Sequence, residues 1–251
     1  MEIFSKNNPI LEKEGFDLSY RLKPDELDTL KCFINDQWIY RLQIDNPQTI
    51  SFLNQNKLGI EDYHLFANKI KDKKIWRKVS RVLPPSFGKW FANTAFYKKL
   101  ERDFNILKVS DEENFGWPNF YWRIVRPNEK NDVGPLHRDS WFWELNSKYI
   151  EPKIPFRRIK VWIAIYTEPG LNGLLIEEYS HKRQDIKWEG ELRDGIQKPV
   201  LLTQKKDLKP KLIVRSPGEA IVFHDKVLHG GAVNIGSKSR ISLEFTMFVK
   251  I

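Results

Sequence analysis

Apolar positions follow two different periods along this chain, and the change comes near residue 106. Upstream the spacing is helical. Pro24-Asp25 opens DELDTLKCFINDQW, in which Leu27, Leu30, Phe33 and Ile34 return at the intervals that gather side chains on one face of a helix. Cys32 falls inside this pattern and is expected to be a buried thiol. The run HLFANKIKDKKIWRKVSRVL predicts a second helix. Pro84-Pro85 interrupts it, and SFGKWFANTAFYKKLERDF resumes the helical spacing.

Downstream, FYWRIVRP, RIKVWIAIYTEP, GLLIEEYS, KLIVRS, GEAIVFHD and RISLEFTMFVK are short and rich in β-branched and aromatic residues, as strands are. Turn pairs separate them: Pro127-Asn128, Pro169-Gly170, Asn172-Gly173, Pro217-Gly218 and Gly230-Gly231. Residues 182–211 are polar and read as a long excursion between strands. Many short strands at this spacing predict a sandwich or barrel. The expected architecture is α+β: one domain over residues 1–251, with a mainly helical part (1–105) leaning on a β core (106–251).

Composition narrows the class. Hydrophobic content of 41% indicates a globular chain. The net charge of +9 is compatible with nucleic acid, an anionic lipid surface or an acidic small molecule. The charges are spread along the chain without a recognition motif, so nucleic acid is not expected as a partner. A single cysteine excludes an intrachain disulfide and suits a reducing compartment. MEIFSKNNPILEKEGFDL lacks a basic head followed by an apolar run, and no segment is apolar enough to span a membrane, so the expected location is cytoplasmic.

The candidate chemistry lies in two separated segments. PLHRDSWFWELN places His137 and Asp139 two residues apart, a pair that chance alone can produce in a chain with five histidines. SPGEAIVFHDKVLHGGAVNIGSKSRISLEF adds His229 before two glycines, then Arg240 eleven residues later with Ser242 on the same strand face. The glycines would let backbone approach a bound group closely. Two imidazoles and one carboxylate form the facial ligand set of non-haem Fe(II) oxygenases, which leaves coordination positions open. An arginine fork can hold the far carboxylate of a 2-oxo acid bidentately, which a lysine cannot.

HRD at 137–139, NGLLIEEYSHK at 172–182 and PGEAIVFHDKVLHGGAVNIGSKSRIS at 217–242 resemble the phytanoyl-CoA dioxygenase family. The resemblance covers residues 120–251. It implies a double-stranded β-helix (a jelly roll, cupin-like) that uses Fe(II), 2-oxoglutarate and O2 to hydroxylate a small organic metabolite. It also implies that His137, Asp139 and His229 bind iron, that Arg240 binds the 2-oxoglutarate C5 carboxylate, and that Ser242 hydrogen-bonds beside it. Where the family has Pro-Gly before Ser-His, this chain has Glu178-Tyr179, which bears on the hairpin and not on the ligands.

Other residues carry weaker expectations. Tyr121 and Arg123 share a face of the strand before the H-x-D and are candidates for a second 2-oxoglutarate contact; Arg126 reads as solvated. Trp141 and Trp143 share parity with His137 and Asp139 if the strand stays regular, which leaves open whether Trp143 flanks the cofactor or fills core. His64 and His181 read as structural, His224 and Asp225 as strand-end residues, and Arg157 and Arg158 as part of a loop over the substrate. Two alternatives stand beside the oxygenase: a cupin-like metal-dependent isomerase, which would not need Arg240, and a non-catalytic binding barrel. Substrate and oligomeric state are not legible.

Overall fold

The computed structural model describes residues 13–70, 77–146, 150–193 and 195–251. The stretch read for a leader at residues 1–12 lies outside them. Helix α1 (Pro24–Asp45) starts at a proline, whose missing N–H costs nothing in a first turn. Glu26 reaches back to accept from the Lys23 N–H at 2.9 Å, and its other oxygen accepts from the Ala95 N–H, so one buried carboxylate caps α1 and binds the start of a later helix. Leu30, Ile34, Trp38 and Leu42 form the inward stripe of α1 at four-residue spacing and are fully buried. Cys32 lies off this stripe and is exposed, contrary to the expectation of a buried thiol.

Helix α2 (Pro47–Asn56) follows directly. The helix expected over 64–83 does not form as one element. Three 3-10 turns stand there instead, at Ile60–Leu65, Ala67–Lys69 and Lys78–Arg81, with residues 71–76 outside the described set. Tertiary bonds compete with the helix: Val82 bridges Tyr121, the Leu83 N–H donates to Phe120 O, and Gln37 Nε2 donates to Val82 O. Helices α3 (Pro85–Phe91) and α4 (Ala95–Asp103) are separated where Thr94 Oγ1 accepts from the Tyr97 N–H, an N-cap that begins a new helix.

The strands are β1 (Phe16–Asp17), β2 (Ile106–Val109), β3 (Tyr121–Val125), β4 (Phe156–Tyr166), β5 (Leu174–Ile176), β6 (Trp188–Arg193), β7 (Ile196–Leu201), β8 (Lys211–Ile213), β9 (Ala220–His224), β10 (His229–Gly231) and β11 (Arg240–Lys250), with a short helix α5 (Asp139–Leu145) between β3 and β4. The larger antiparallel sheet runs β1-β9-β4-β11-β2, and β3 also pairs with β11. A second sheet runs β10-β5-β8. The first strand therefore belongs to the sheet although it precedes the helices. The charged stretch 182–211 contains the β6-β7 hairpin. Arg157 and Arg158, expected in a loop, lie within β4 opposite Val249 and Phe248. Among the described residues no helix is long and apolar enough to cross a membrane.

The larger sheet has two different faces. Ile241, Leu243, Phe245, Met247 and Val249 of β11 join Ile159, Val161 and Ile163 of β4 in a core shared with α1, α3 and α4. The opposite face packs Trp162, Ala164, Ile221 and Phe223 against Leu174, Ile176 and Ile213 of the second sheet. Phe91 joins helices to sheet: its ring lies 5.3 Å from Phe87, 5.2 Å from Phe120 and 5.5 Å from Phe245. Phe91→Ala should lower the unfolding free energy in urea by about 3–5 kcal/mol, the cost of a large buried cavity. Tyr40→Ala, on the exposed face of α1, should stay within about 0.5 kcal/mol of the parent. Equal effects of the two changes would show that the ring cluster does not join the layers.

Candidate metal centre

The centre is built on a reciprocal backbone pair. The His137 N–H donates to His229 O at 2.8 Å, and the His229 N–H returns the bond to His137 O at 2.9 Å. This holds the extended segment before α5 against β10 and sets the two imidazoles side by side, 4.4 Å between centroids. Gly230 and Gly231 make the approach possible. A Cβ on Gly230 would stand 3.1 Å from Pro135 O and Leu136 N, and one on Gly231 would stand 2.9 Å from Val133 Cγ1. The glycines thus make room for the neighbouring segment from Val133 to Leu136, and both also line the cavity.

Asp139 is the first residue of α5 and points back at both rings. Its Oδ1 lies 3.5 Å from His137 Nε2 and 3.8 Å from His229 Nε2, and one ligand atom from each residue falls within 4.8 Å of the others. Each imidazole is oriented from behind: His137 Nδ1 meets Pro135 O at 2.8 Å and His229 Nδ1 meets Val227 O at 2.9 Å. A carbonyl only accepts, so each Nδ1 carries the proton and each Nε2 lone pair faces the centre, the arrangement a metal-binding histidine needs. Burial, helped by His137, pushes the His229 imidazole down to about 4. Burial alone would raise the Asp139 carboxyl, but Lys160 and the two histidines hold it well below the usual carboxylate range. A neutral imidazole beside an ionised carboxylate is the protonation state for ligation.

A second polar constellation lies in the same cavity of about 220 Å³. Arg240 is buried, donates through Nη1 to Gly173 O at 3.1 Å, and sits over the Trp162 ring at 5.6 Å. Burial and the nearby Arg123 lower it to about 10, so it stays charged at neutral pH. Its Nε and the Oγ of Ser242, two residues along the same strand face, are buried without a hydrogen-bond partner. Native interiors rarely leave such donors unpaired, and a carboxylate would satisfy both. Asp139 Oδ2 is likewise without a hydrogen bond. The residues fit a dication at the triad and a planar anion at Arg240 and Ser242.

The remaining candidates fall into two groups. Tyr121, Arg123 and Trp143 line the cavity. Arg123 is held by Glu244 Oε1, and the Tyr121 hydroxyl donates to Asn119 at 3.2 Å. Trp143 lies edge-on to Phe248 with the Arg158 guanidinium over it. The strand parity that linked Trp141 to Trp143 fails because Asp139 starts a helix: Trp141 turns away and stacks on Trp188 at 5.1 Å. Arg126 is bound by Asp132 through two bonds of 2.7 and 2.8 Å and is not freely solvated. Asp225 is taken by Arg158 at the end of β9, His64 contacts Ser239, and His181 lies against His224; none of these reaches the triad.

Sequence reading missed Lys78, Glu112, Lys160 and Glu244, all of which line the cavity. Two of them left a signal. Lys160 and Glu244 are charges inside otherwise apolar strand runs, and Glu244 keeps the parity of Arg240 and Ser242.

The profile of the phytanoyl-CoA dioxygenase (PhyH) family matches residues 58–242. No curated protein sequence matches the chain. Among solved structures, the chain is similar to the non-heme monooxygenase ThoJ in its apo form, with a TM-score of 0.50 and 12% identity over 94% of this chain and 74% of that one. It is also similar to the non-heme alpha ketoglutarate dependent carbocyclase SnoK from nogalamycin biosynthesis, with a TM-score of 0.52 and 12% identity over 98% and 84% of the two chains. At such identity the likeness is one of fold.

Two outcomes follow from the triad. His229→Ala and Asp139→Ala should each weaken Fe(II) binding by about 100-fold or more in anaerobic calorimetry, and unchanged affinity in either variant would remove that residue from the ligand set. The second outcome concerns pH. The folded-state pKa of His229 lies below its unfolded value, so the unfolded chain takes up the proton first as pH falls. Metal-free protein should therefore lose on the order of 3 kcal/mol of stability between about pH 6.5 and 4, and His229→Gln should flatten that part of the profile. An unflattened profile in the variant would assign the loss elsewhere.

Proposed function

The chain belongs to the phytanoyl-CoA dioxygenase family, and from that premise we propose that it is an Fe(II)- and 2-oxoglutarate-dependent dioxygenase that hydroxylates a small organic molecule. The observation that carries this reading is the convergence of two polar sites on one cavity, the His137–Asp139–His229 cluster and the buried Arg240 with its unpaired Nε. Ser242, two residues along the same strand face, buries an unpaired Oγ. The two antiparallel sheets are read as a double-stranded β-helix, and the chain as a single domain with a mainly helical part at 1–105 and the catalytic core at 106–251.

His137, Asp139 and His229 would hold the iron, with Pro135 O and Val227 O keeping each Nε2 aimed inward. Arg240 and Ser242 would take the C5 carboxylate of 2-oxoglutarate, and the Trp162 ring supports the guanidinium from one side. With both co-factors bound, iron and 2-oxoglutarate supply the oxidising chemistry from O2, with succinate and CO2 as co-products. Tyr121, Arg123 and Trp143 form cavity wall. The hold of Glu244 on Arg123 supports a wall role for that arginine over a second 2-oxoglutarate contact. A cupin-like isomerase or a passive binding barrel would have no use for a buried, part-unpaired guanidinium, and Arg240 weighs against both.

Arg240→Ala should raise the 2-oxoglutarate requirement by about 100-fold while Fe(II) affinity stays as in the parent, because a buried charge-assisted pair is lost. Wild-type 2-oxoglutarate binding by this variant would contradict the assignment. Asp139 fills the ligand position that a halide would need, so products should gain one oxygen or lose two hydrogens in chloride buffer as in its absence. A chlorinated product would overturn the hydroxylase reading.

A further inference from the structure

Two lysines line the cavity, and their situations are opposite. Lys78 is spent: its Nζ donates to Glu112 Oε2 at 2.7 Å and lies 3.1 Å from Glu113 Oε1. Lys160 projects from β4 on the face that carries Trp162, and it is only 8% exposed. Its nearest carboxylate oxygens, Asp139 Oδ2 at 3.8 Å and Glu244 Oε2 at 3.9 Å, are beyond hydrogen-bonding range. An ammonium has three donors, and these open on the cavity without a protein hydrogen bond. Lys160 is thus a buried cation aimed into a cavity and held by charge attraction alone.

Pairing the charges of the cavity shows what it lacks. Glu112 is answered by Lys78, Glu244 by Arg123, and Asp132 from outside the cavity by Arg126. Asp139 and the C1 carboxylate of 2-oxoglutarate together balance a bound dication. Arg240 balances the C5 carboxylate. Lys78 takes Glu113 as well as Glu112, so the loaded site balances overall, but Lys160 is the cation lining the cavity whose Nζ has no hydrogen-bonded partner among the described residues. In the adjoining cavity of about 490 Å³ Arg123 is taken by Glu244 and Arg126 by Asp132, which leaves Arg81 and Glu129 as one charge of each sign. An ammonium with unspent donors on a cavity wall favours entry of an anion at that point.

We propose that the substrate is a small molecule bearing a single carboxylate, and that Lys160 is the residue that selects it by docking that carboxylate on Nζ. This rests on the oxygenase reading above. One unit of positive charge is answered by one carboxylate, whereas a phosphate monoester would bring nearly two negative charges. The cavity of about 220 Å³ must hold 2-oxoglutarate as well, and typical ligand pockets start near 300 Å³, so the part of the substrate inside it is small. Anchoring one end there would fix which carbon faces the triad. Positioning of this kind determines reaction outcome in a site whose oxidant is not selective.

The test uses the full chain loaded with Ni(II) and 2-oxoglutarate, which cannot turn over, in titration calorimetry. The probes are short aliphatic and α-amino carboxylates, each beside its own carboxamide. At least one carboxylate should bind the loaded protein, and its carboxamide should bind about tenfold more weakly or worse. Lys160→Met should erase that preference, and Lys160→Arg should keep most of it, with 2-oxoglutarate affinity within about threefold of the parent in both. Ni(II) should bind Lys160→Met at least as tightly as the parent, because the cation competing for Asp139 is gone. Equal binding of acid and amide, or no binding of any carboxylate to the loaded parent, overturns the proposal without a variant. A loss of 2-oxoglutarate affinity in Lys160→Met overturns it by moving the lysine to the co-substrate subsite. Failure of the parent to take up Ni(II) or 2-oxoglutarate is read before any probe is added. That result overturns the oxygenase reading, and this inference with it.

Discussion

The pairing of β11 with β4 on one side and β3 on the other fixes which of its side chains meet the helices and which meet the cavity. Odd positions from Ile241 to Val249 fill a large apolar core. Arg240, Glu244 and Thr246 face the cavity, and Ser242 keeps their parity. Side chains alternate along a strand, so a slip of one residue would bury the polar set among the rings of α1 and α3 and turn the apolar set toward the triad. The apolar face makes that slip costly, because Leu243, Phe245 and Met247 would each lose complete burial. The hydrophobic core thus enforces the placement of the polar site behind it.

The polar side of β11 carries a different cost. Glu244 is buried, and burial by itself would push its carboxyl up; Arg123 and Lys160 reverse this and hold it near 2. Lys160 keeps its proton for the complementary reason: burial opposes its charge, but Asp139, Glu244 and Glu112 outweigh it. None of these ions would be tolerable alone, since an isolated buried charge is far more expensive than a paired one. The network keeps several full charges fixed in a buried cavity, where they act on a ligand more strongly than they would in bulk water. Fixed dipoles and charges of this kind need no rearrangement when the ligand arrives.

How much of this was legible depends on how far apart the participants lie. His229, Arg240 and Ser242 fall within fourteen residues of chain, and the last two share a strand face, so their spacing could be read directly. His137 and Asp139 were visible for the same reason, and the facial ligand set joined the two segments. The ion network was not visible, because Lys78, Glu112, Lys160 and Glu244 come from four separate segments of the chain, Glu112 from a turn, and meet only in the folded structure. Misreadings came from local geometry. Asp139 looked like a strand residue because His137 is extended, yet an acidic residue in a first turn also favours a helix start, and α5 begins there. Cys32 looked buried because apolar neighbours surround it in sequence, but the stripe of α1 steps by four through Leu30, Ile34 and Trp38 and passes it by.

Asp139 belongs to both constellations and couples them. One oxygen faces His137 and His229, and the other faces Lys160 at 3.8 Å. While only the protein's own groups are present, the carboxylate is the main counter-charge that Lys160 has besides Glu244. Whatever positive charge is placed on the histidine side competes with Lys160 for that carboxylate and leaves the ammonium less satisfied. An anion arriving at Lys160 restores the balance and releases Asp139 to the histidine side. Each event therefore favours the other, and linkage requires the effect to be equal in both directions. A carboxylate held only by a neutral donor on its far side would not transmit this; a charged lysine with unspent donors does. The placement of Lys160 on β4, two residues from Trp162 and opposite Thr246, thus ties the order of the metal site to the filling of the cavity.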